Sequence, residues 1–163
     1  MPHIDAAYNL ARWLTRNEQD AQDVVQEAFL RAFKFFDGFH GTNGRSWLLS
    51  IVRNASYSWL QKNRNSELTT VFDEELHGAE AVLSAPLAPL LRDADHGLVR
   101  QAIEELPVEF REVTILRELE GMSYKEIAEI TEIPIGTVMS RLARARKQLQ
   151  SRLTERFREE PSL

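Results

Sequence analysis

Cysteine is absent from this chain of 163 residues. That excludes disulfides, thiol nucleophiles and cysteine-held zinc, and it agrees with a reducing compartment. No apolar run approaches the length of a membrane span, and the amino terminus lacks a basic-then-apolar signal pattern. Together these absences predict a cytoplasmic protein without membrane insertion. A Gly-x-Ser-x-Gly elbow and a glycine-rich phosphate loop are also missing, so the expectation is a protein that is not an enzyme. Positive charge is short as well: a net charge of -5 is unexpected for a protein that holds DNA alone. The hydrophobic share of 43% and charged share of 28% are ordinary for a soluble globular protein, and the length suits two small domains.

The charge is unevenly spread. Residues 1–64 carry a net +2, residues 65–96 a net -6, and residues 97–163 a net -1. The last segment is itself polarised, with Arg141, Arg144, Arg146, Lys147 and Arg152 following an acidic stretch that includes Glu109, Glu112, Glu118 and Glu120. Phosphate neutralisation supplies most non-specific DNA affinity, so such a chain is expected to bind DNA weakly unaided.

Helical periodicity runs through both ends. A first helix is predicted from Ile4 to Leu14, and Asn17 with Asp20 resembles a capping pair that opens a long second helix. On that helix Ala21, Val24, Val25, Ala28, Phe29, Ala32, Phe33 and Phe36 are expected to face inward. After a loop through Gly38, Gly41 and Gly44, a third helix packs Trp47, Leu48, Ile51, Val52, Ala55 and Trp59. The acidic stretch with Pro86 and Pro89 interrupts periodicity and reads as a linker. Beyond it Leu98, Ala102, Ile103 and Leu106 make an apolar stripe, Pro107 permits a new helix start, and Phe110, Val113 and Leu116 or Leu119 carry the pattern to Gly121. The expected fold is therefore all-α: two small helical domains, 1–64 and 97–163, joined by an acidic flexible linker over 65–96.

Gly121 suits the end of a helix, Ser123 with Glu126 forms a capping box for the next, and Pro134 stops that one near Glu132 and Ile133. A final helix follows from about Gly136, with Val138, Leu142, Ala145 and Leu149 inward and Thr137, Ser140, Arg141 and Arg144 on another face. This is the pattern of a helix-turn-helix. Short hydroxyls and long guanidiniums on the exposed face of its second helix suit a major groove. Taken alone, an arginine-rich final helix is more simply a solvated face that complements the helix dipole. The joint occurrence of cap, proline turn, small Ala128 and basic helix favours DNA.

On the third helix Arg53, Asn54, Tyr57, Gln61, Lys62 and Arg64 are expected towards solvent, a mixture of cations, amides and a ring that suits single-stranded nucleic acid. On the second, Asp20, Asp23 and Glu27 share the polar face. No Glu-x-x-His pair accompanies them and the four histidines are scattered, so a metal site is not expected and a solvated or protein-binding face is.

At these residues the chain resembles the extracytoplasmic-function group of the sigma-70 family, the dissociable promoter-specificity subunits of bacterial RNA polymerase. The run from Asp20 to Ala32 (DAQDVVQEAFLRA) looks like the family's polymerase-binding helix. The run from Ser46 to Asn54 (SWLLSIVRN), continued to Arg64, is similar to the part that opens and reads the minus-ten promoter element. Ser123 to Leu149 matches region four, which reads the minus-thirty-five element. The resemblance implies that Asp20, Asp23, Gln26 and Glu27 meet the clamp coiled coil of the largest subunit of core RNA polymerase, and that region four touches its flap. It implies that Arg53, Asn54 and Tyr57, with Gln61, Lys62 and Arg64 beside them, hold the non-template strand of promoter DNA, and that the acidic linker threads towards the RNA exit path. It places Met139, Ser140, Ala143 and Arg144 in the groove, in the stretch that also holds Thr137, Arg141 and Lys147. An anti-sigma factor partner and no cofactor are implied as well. Family members often carry glycine where Glu132 stands, and the chain starts close to its first helix, without the usual leading residues, which points to a truncated or misassigned start. Two rival readings are a stand-alone helix-turn-helix regulator, with an amino-terminal effector or dimerisation domain, and an enzyme using the acidic cluster with a divalent metal.

Overall fold

The computed structural model describes residues 3–36, 43–63 and 96–159, with side chains to Glu155. Among these, seven α-helices and no strands are present: α1 (Ile4–Thr15), α2 (Glu18–Lys34), α3 (Gly44–Asn63), α4 (His96–Glu104), α5 (Val108–Thr114), α6 (Tyr124–Thr131) and α7 (Ile135–Glu159). The expected loop glycines Gly38 and Gly41, the linker up to Asp95, and Arg64 lie outside the described residues.

Local chemistry sets most helix ends. The Asn17 side chain accepts from the Asp20 amide at 3.0 Å and starts α2. Asn43 does the same for α3, accepting from the Ser46 amide at 3.0 Å. Ser123 and Glu126 close the full capping box on α6: the Glu126 amide donates to Ser123 Oγ at 3.1 Å, and the Ser123 amide donates to Glu126 Oε1 at 2.9 Å. That backbone contact, with an amide bond from Asn43, holds the Glu126 carboxyl below its ordinary pKa. Gly121 takes φ 65°, a left-handed conformation that suits glycine. Glu132 takes φ 58° and ψ 43° at the end of α6, so a glutamate does here what glycine does with less strain.

α1, α2 and α3 pack pairwise around Leu10, Leu14, Ala28, Leu49 and Val52, all fully buried. α4 to α7 pack around Phe110, Leu116, Ile127, Val138 and Leu149. One expectation for the apolar stripes is corrected, and one choice left open there is decided. Phe33 is 86% exposed and Phe36 63%: the buried stripe of α2 is Ala21, Val24, Val25, Ala28 and Ala32, and Phe36 lies beyond the end of that helix, edge-on to Trp47. Between Leu116 and Leu119, the structure buries the first and exposes the second, because α5 runs on into a π-helical turn, Ile115–Leu119, whose wider pitch shifts the register.

The two helical groups are not separate. α1 touches α5, α3 touches α6, and the buried residues of both groups form one continuous apolar cluster. At one seam Arg111, fully buried, donates to the carbonyls of Leu106 (2.8 Å), Glu104 (3.1 Å) and Leu14 (3.3 Å), so one guanidinium satisfies the end of α4 and the end of α1. Arg16 donates to the Glu104 carbonyl, and the Arg100 guanidinium lies 5.1 Å from the Trp13 ring centroid. At a second seam Arg45 donates to the Glu120 carbonyl (2.7 Å) and carboxylate (3.0 Å), and Asn43 Nδ2 donates to Glu126 Oε2 (2.7 Å).

Candidate nucleic-acid and polymerase interfaces

The acidic face of α2 is open to solvent. Asp23, Gln26 and Glu27 are exposed and Asp20 is half-buried. Glu27 pairs with Arg31 one turn on, at 3.2 Å, and Asp23 accepts from Gln19. A groove of about 770 Å³ runs between α1 and α2, and Asp5, Asp23 and Gln26 line it together with Tyr8 and Phe29. Asp20 and Glu27 lie outside that lining. Among the described residues no group of three or more histidines, cysteines or carboxylates is placed to hold a metal ion. The groove is acidic with aromatic walls, which fits a basic, partly apolar protein segment.

On α3 the structure corrects the expectation that the whole polar face meets solvent. Asn54, Gln61 and Lys62 are exposed, but Arg53 and Tyr57 are turned into the second seam. Arg53 forms a two-pronged pair with Glu112 of α5, Nε to Oε2 at 3.0 Å and Nη2 to Oε1 at 3.3 Å. The Arg53 side chain is 16% exposed and that of Glu112 fully buried. The guanidinium also lies over the Tyr57 ring, 3.8 Å from its centroid. Burial opposes charge on Arg53, and the Glu112 carboxylate more than reverses this, so its pKa lies above the ordinary value. Burial first, and then the Glu112 charge, hold the Tyr57 phenol well above its usual range; its hydroxyl sits near Glu112 without a well-aligned hydrogen bond. Glu109 is raised chiefly by burial, with Glu112 adding to it, while a backbone hydrogen bond first and then Arg141 and Arg53 pull it back.

α7 offers a narrower set of outward groups than its sequence suggests. Lys147 is exposed, and Thr137, Met139, Arg141 and Arg144 are half-buried. Ser140 and Ala143, placed in the groove by resemblance, are 1% and 2% exposed, because this side of α7 packs on neighbouring helices. Arg146 pairs with Glu118 at 3.5 Å and Arg152 with Glu105 at 2.8 Å, so both are engaged within the protein. Sequence reasoning missed Glu112, Arg45 and Arg111. Glu112 reads as part of a solvated acidic run, and its partner lies 59 positions away, where no periodicity reaches.

A capped helix, a tight turn and a basic second helix, attached to an all-helical domain with an acidic groove, are the features of a DNA-binding factor. Comparison with known proteins makes this specific. Sigma-70 region 2 matches residues 1–66, and Sigma-70, region 4 matches residues 96–149. The RNA polymerase sigma-H factor of Pseudomonas aeruginosa is 36% identical over 148 residues, 86% of this chain and 77% of that one. The ECF RNA polymerase sigma-E factor of Escherichia coli K12 is 36% identical over 141 residues, covering 82% and 74%. Among solved structures, sigma factor RpoE in complex with the anti-sigma factor NepR from Bartonella quintana matches with a TM-score of 0.71 at 31% identity, covering 94% of this chain and 92% of that one. CnrH in complex with the cytosolic domain of CnrY matches with a TM-score of 0.66 at 26% identity, covering 94% and 84%. The chain belongs to the sigma-70 family of RNA polymerase sigma factors, in its extracytoplasmic-function group.

Proposed function

We propose that this chain acts in the cytoplasm as a non-catalytic initiation factor that docks on core RNA polymerase, directs it to one class of promoters and helps open the DNA. Residues 1–64 serve polymerase docking and the minus-ten element, and residues 97–163 serve the minus-thirty-five element. The observation that carries the reading is the joint presence, in order, of an acidic docking groove on α2 and a fully capped helix-turn-helix ending in a basic helix. Asp20, Asp23, Gln26 and Glu27 engage the polymerase clamp, Arg53, Asn54, Tyr57, Gln61, Lys62 and Arg64 the opened strand, and Thr137, Met139, Arg141, Arg144 and Lys147 the upstream duplex. Ser140 and Ala143 join them only if α7 is freed from the packing that buries them. An anti-sigma factor holds the chain inactive, as the solved relatives bound to NepR and CnrY suggest. No helix among the described residues is long and apolar enough to cross a membrane.

In vitro transcription with core polymerase over a promoter library tests this. Wild type should select a promoter class, and Asp23→Arg should weaken core binding while retaining helicity. Tight, sequence-specific duplex binding by the free chain, with no transcription when core is added, would instead mark a stand-alone regulator.

A further inference from the structure

Among the described residues of α7, Ile135 is the one large apolar side chain left exposed, at 45%, and it stands on the first turn of the helix. The inward packing of α7 is carried by Val138, Leu142, Ala145 and Leu149, all buried. The Pro134 carbonyl accepts from the Thr137 amide at 2.9 Å and from the Val138 amide at 3.1 Å, so the turn that presents Ile135 is fixed. Gly136 beside it is exposed, and no atom lies within 4 Å of where its side chain would stand, so nothing in the chain crowds this end of the helix. Met139 follows one turn on along the same side and is half-buried, and the two side chains make a short apolar strip. The cations Arg141, Arg144 and Lys147 come later along the helix.

A single exposed isoleucine is ordinary on a protein surface. Its place in the fold makes this one informative. The start of the second helix of a helix-turn-helix is the part that meets base edges in the major groove, and the one apolar group on those edges is the C5 methyl of thymine. Neither isoleucine nor methionine has a hydrogen to donate to a purine edge.

We propose that Ile135 and Met139 read thymine by apolar contact with its C5 methyl in the minus-thirty-five duplex, while Lys147 serves the phosphates. This rests on the region-four reading of α7. It goes further in adding Ile135 to the site and in naming the base it selects.

Deoxyuridine pairs as thymidine does and lacks only the methyl, so it isolates the contact. Duplexes are selected from a random library in two arms, by the chain with core polymerase and by the free chain. In the selected element each thymine, on either strand, is then replaced singly by deoxyuridine, and affinity is measured by competition. Wild type with core polymerase should select at least one A·T pair in the minus-thirty-five element and lose about fourfold in affinity at one or two replaced positions, the factor that corresponds to burying one methyl group. Ile135→Ala and Met139→Ala should bind the thymine duplex more weakly by a similar factor and lose nothing further at the position each one reads. Ile135→Val should keep the sensitivity, and Lys147→Ala should weaken both duplexes alike.

A selected element without an A·T pair would overturn the proposal. So would a wild type indifferent to deoxyuridine, or a sensitivity that persists undiminished in both alanine variants. The wild-type comparison involves no substitution, so it decides even if a variant fails to fold. Promoter selection by the polymerase complex without deoxyuridine sensitivity sinks the methyl contact alone. Tight selection by the free chain, with sensitivity at Ile135 and no transcription when core is added, sinks the sigma-factor reading and leaves the contact standing. Selection in neither arm sinks both.

Discussion

The two helices assigned to DNA, α3 and α7, meet different fates in one molecule. On α7 the internal ion pairs take Arg146 and Arg152 near the carboxyl-terminal side, while Arg141, Arg144 and Lys147 keep part of their surface. On α3 the central arginine and tyrosine are turned into the seam against Glu112, and the amides and lysine around them remain outside. The difference follows from position in the fold. α7 packs on α4, α5 and α6 of its own half. α3 lies at the junction and packs on α6 as well as on α1 and α2.

The largest test of this contrast removes the tie between the halves. Arg111→Met leaves the Leu14 and Leu106 carbonyls without their buried donor and should destabilise the full chain by about 3 kcal/mol, measured by urea unfolding. Stability within a few tenths of wild type would show that the halves do not depend on it.

The next test separates the kinds of nucleic acid. Arg144→Ala should lower affinity of the polymerase complex for promoter duplex by about 1–3 kcal/mol if it reads a base edge. Asn54→Ala should leave the closed complex intact and impair opening, because base contacts on the strand arise only after unpairing. Permanganate footprinting on duplex and pre-melted promoters distinguishes them: a bubble should rescue Asn54→Ala at least partly and not Arg144→Ala. The reverse pattern would exchange the roles of the two helices.

A smaller effect comes from the buried acids of the seam. Glu109 has a raised pKa, mainly from burial, and one of its oxygens lacks a hydrogen-bond partner. The folded chain therefore holds this proton more tightly than the unfolded chain, and the stability it confers is present in acid and falls as pH rises through the folded pKa. Glu109→Gln should be the more stable protein at neutral pH, with the gap closing as pH drops below that pKa. Parallel melting curves for the two variants would refute the assignment.

The smallest change is local to the turn of the helix-turn-helix. Glu132→Gly relieves a left-handed glutamate and should raise stability by about 0.5–1 kcal/mol, seen as a higher melting temperature. An unchanged or lower value would mean that the turn carries no strain.

Periodicity and capping residues made the helices legible before any coordinates: Asn17, Ser123, Gly121 and Pro134 each act over three or four residues, and the structure uses all four as expected. The acidic face of α2 was legible for the same reason, since Asp23, Gln26 and Glu27 share one side of a single helix. The π-helical turn was not, because a one-residue change of pitch leaves the composition ordinary while moving Leu119 into solvent. Nor was the exposure of Phe33, which depends on which side of α2 its neighbours cover.

The sequence by itself determined helix boundaries, the helix-turn-helix and the family, because those depend on short-range spacing. Tertiary structure alone decided which polar residues are free. Arg53 and Lys62 look alike along the helix, yet Lys62 is exposed and Arg53 is not. Only the docking of α3 against α5 and α6 brings Arg53 to Glu112 across 59 positions, and a charge's exposure is set by what packs over it, not by its neighbours in the chain.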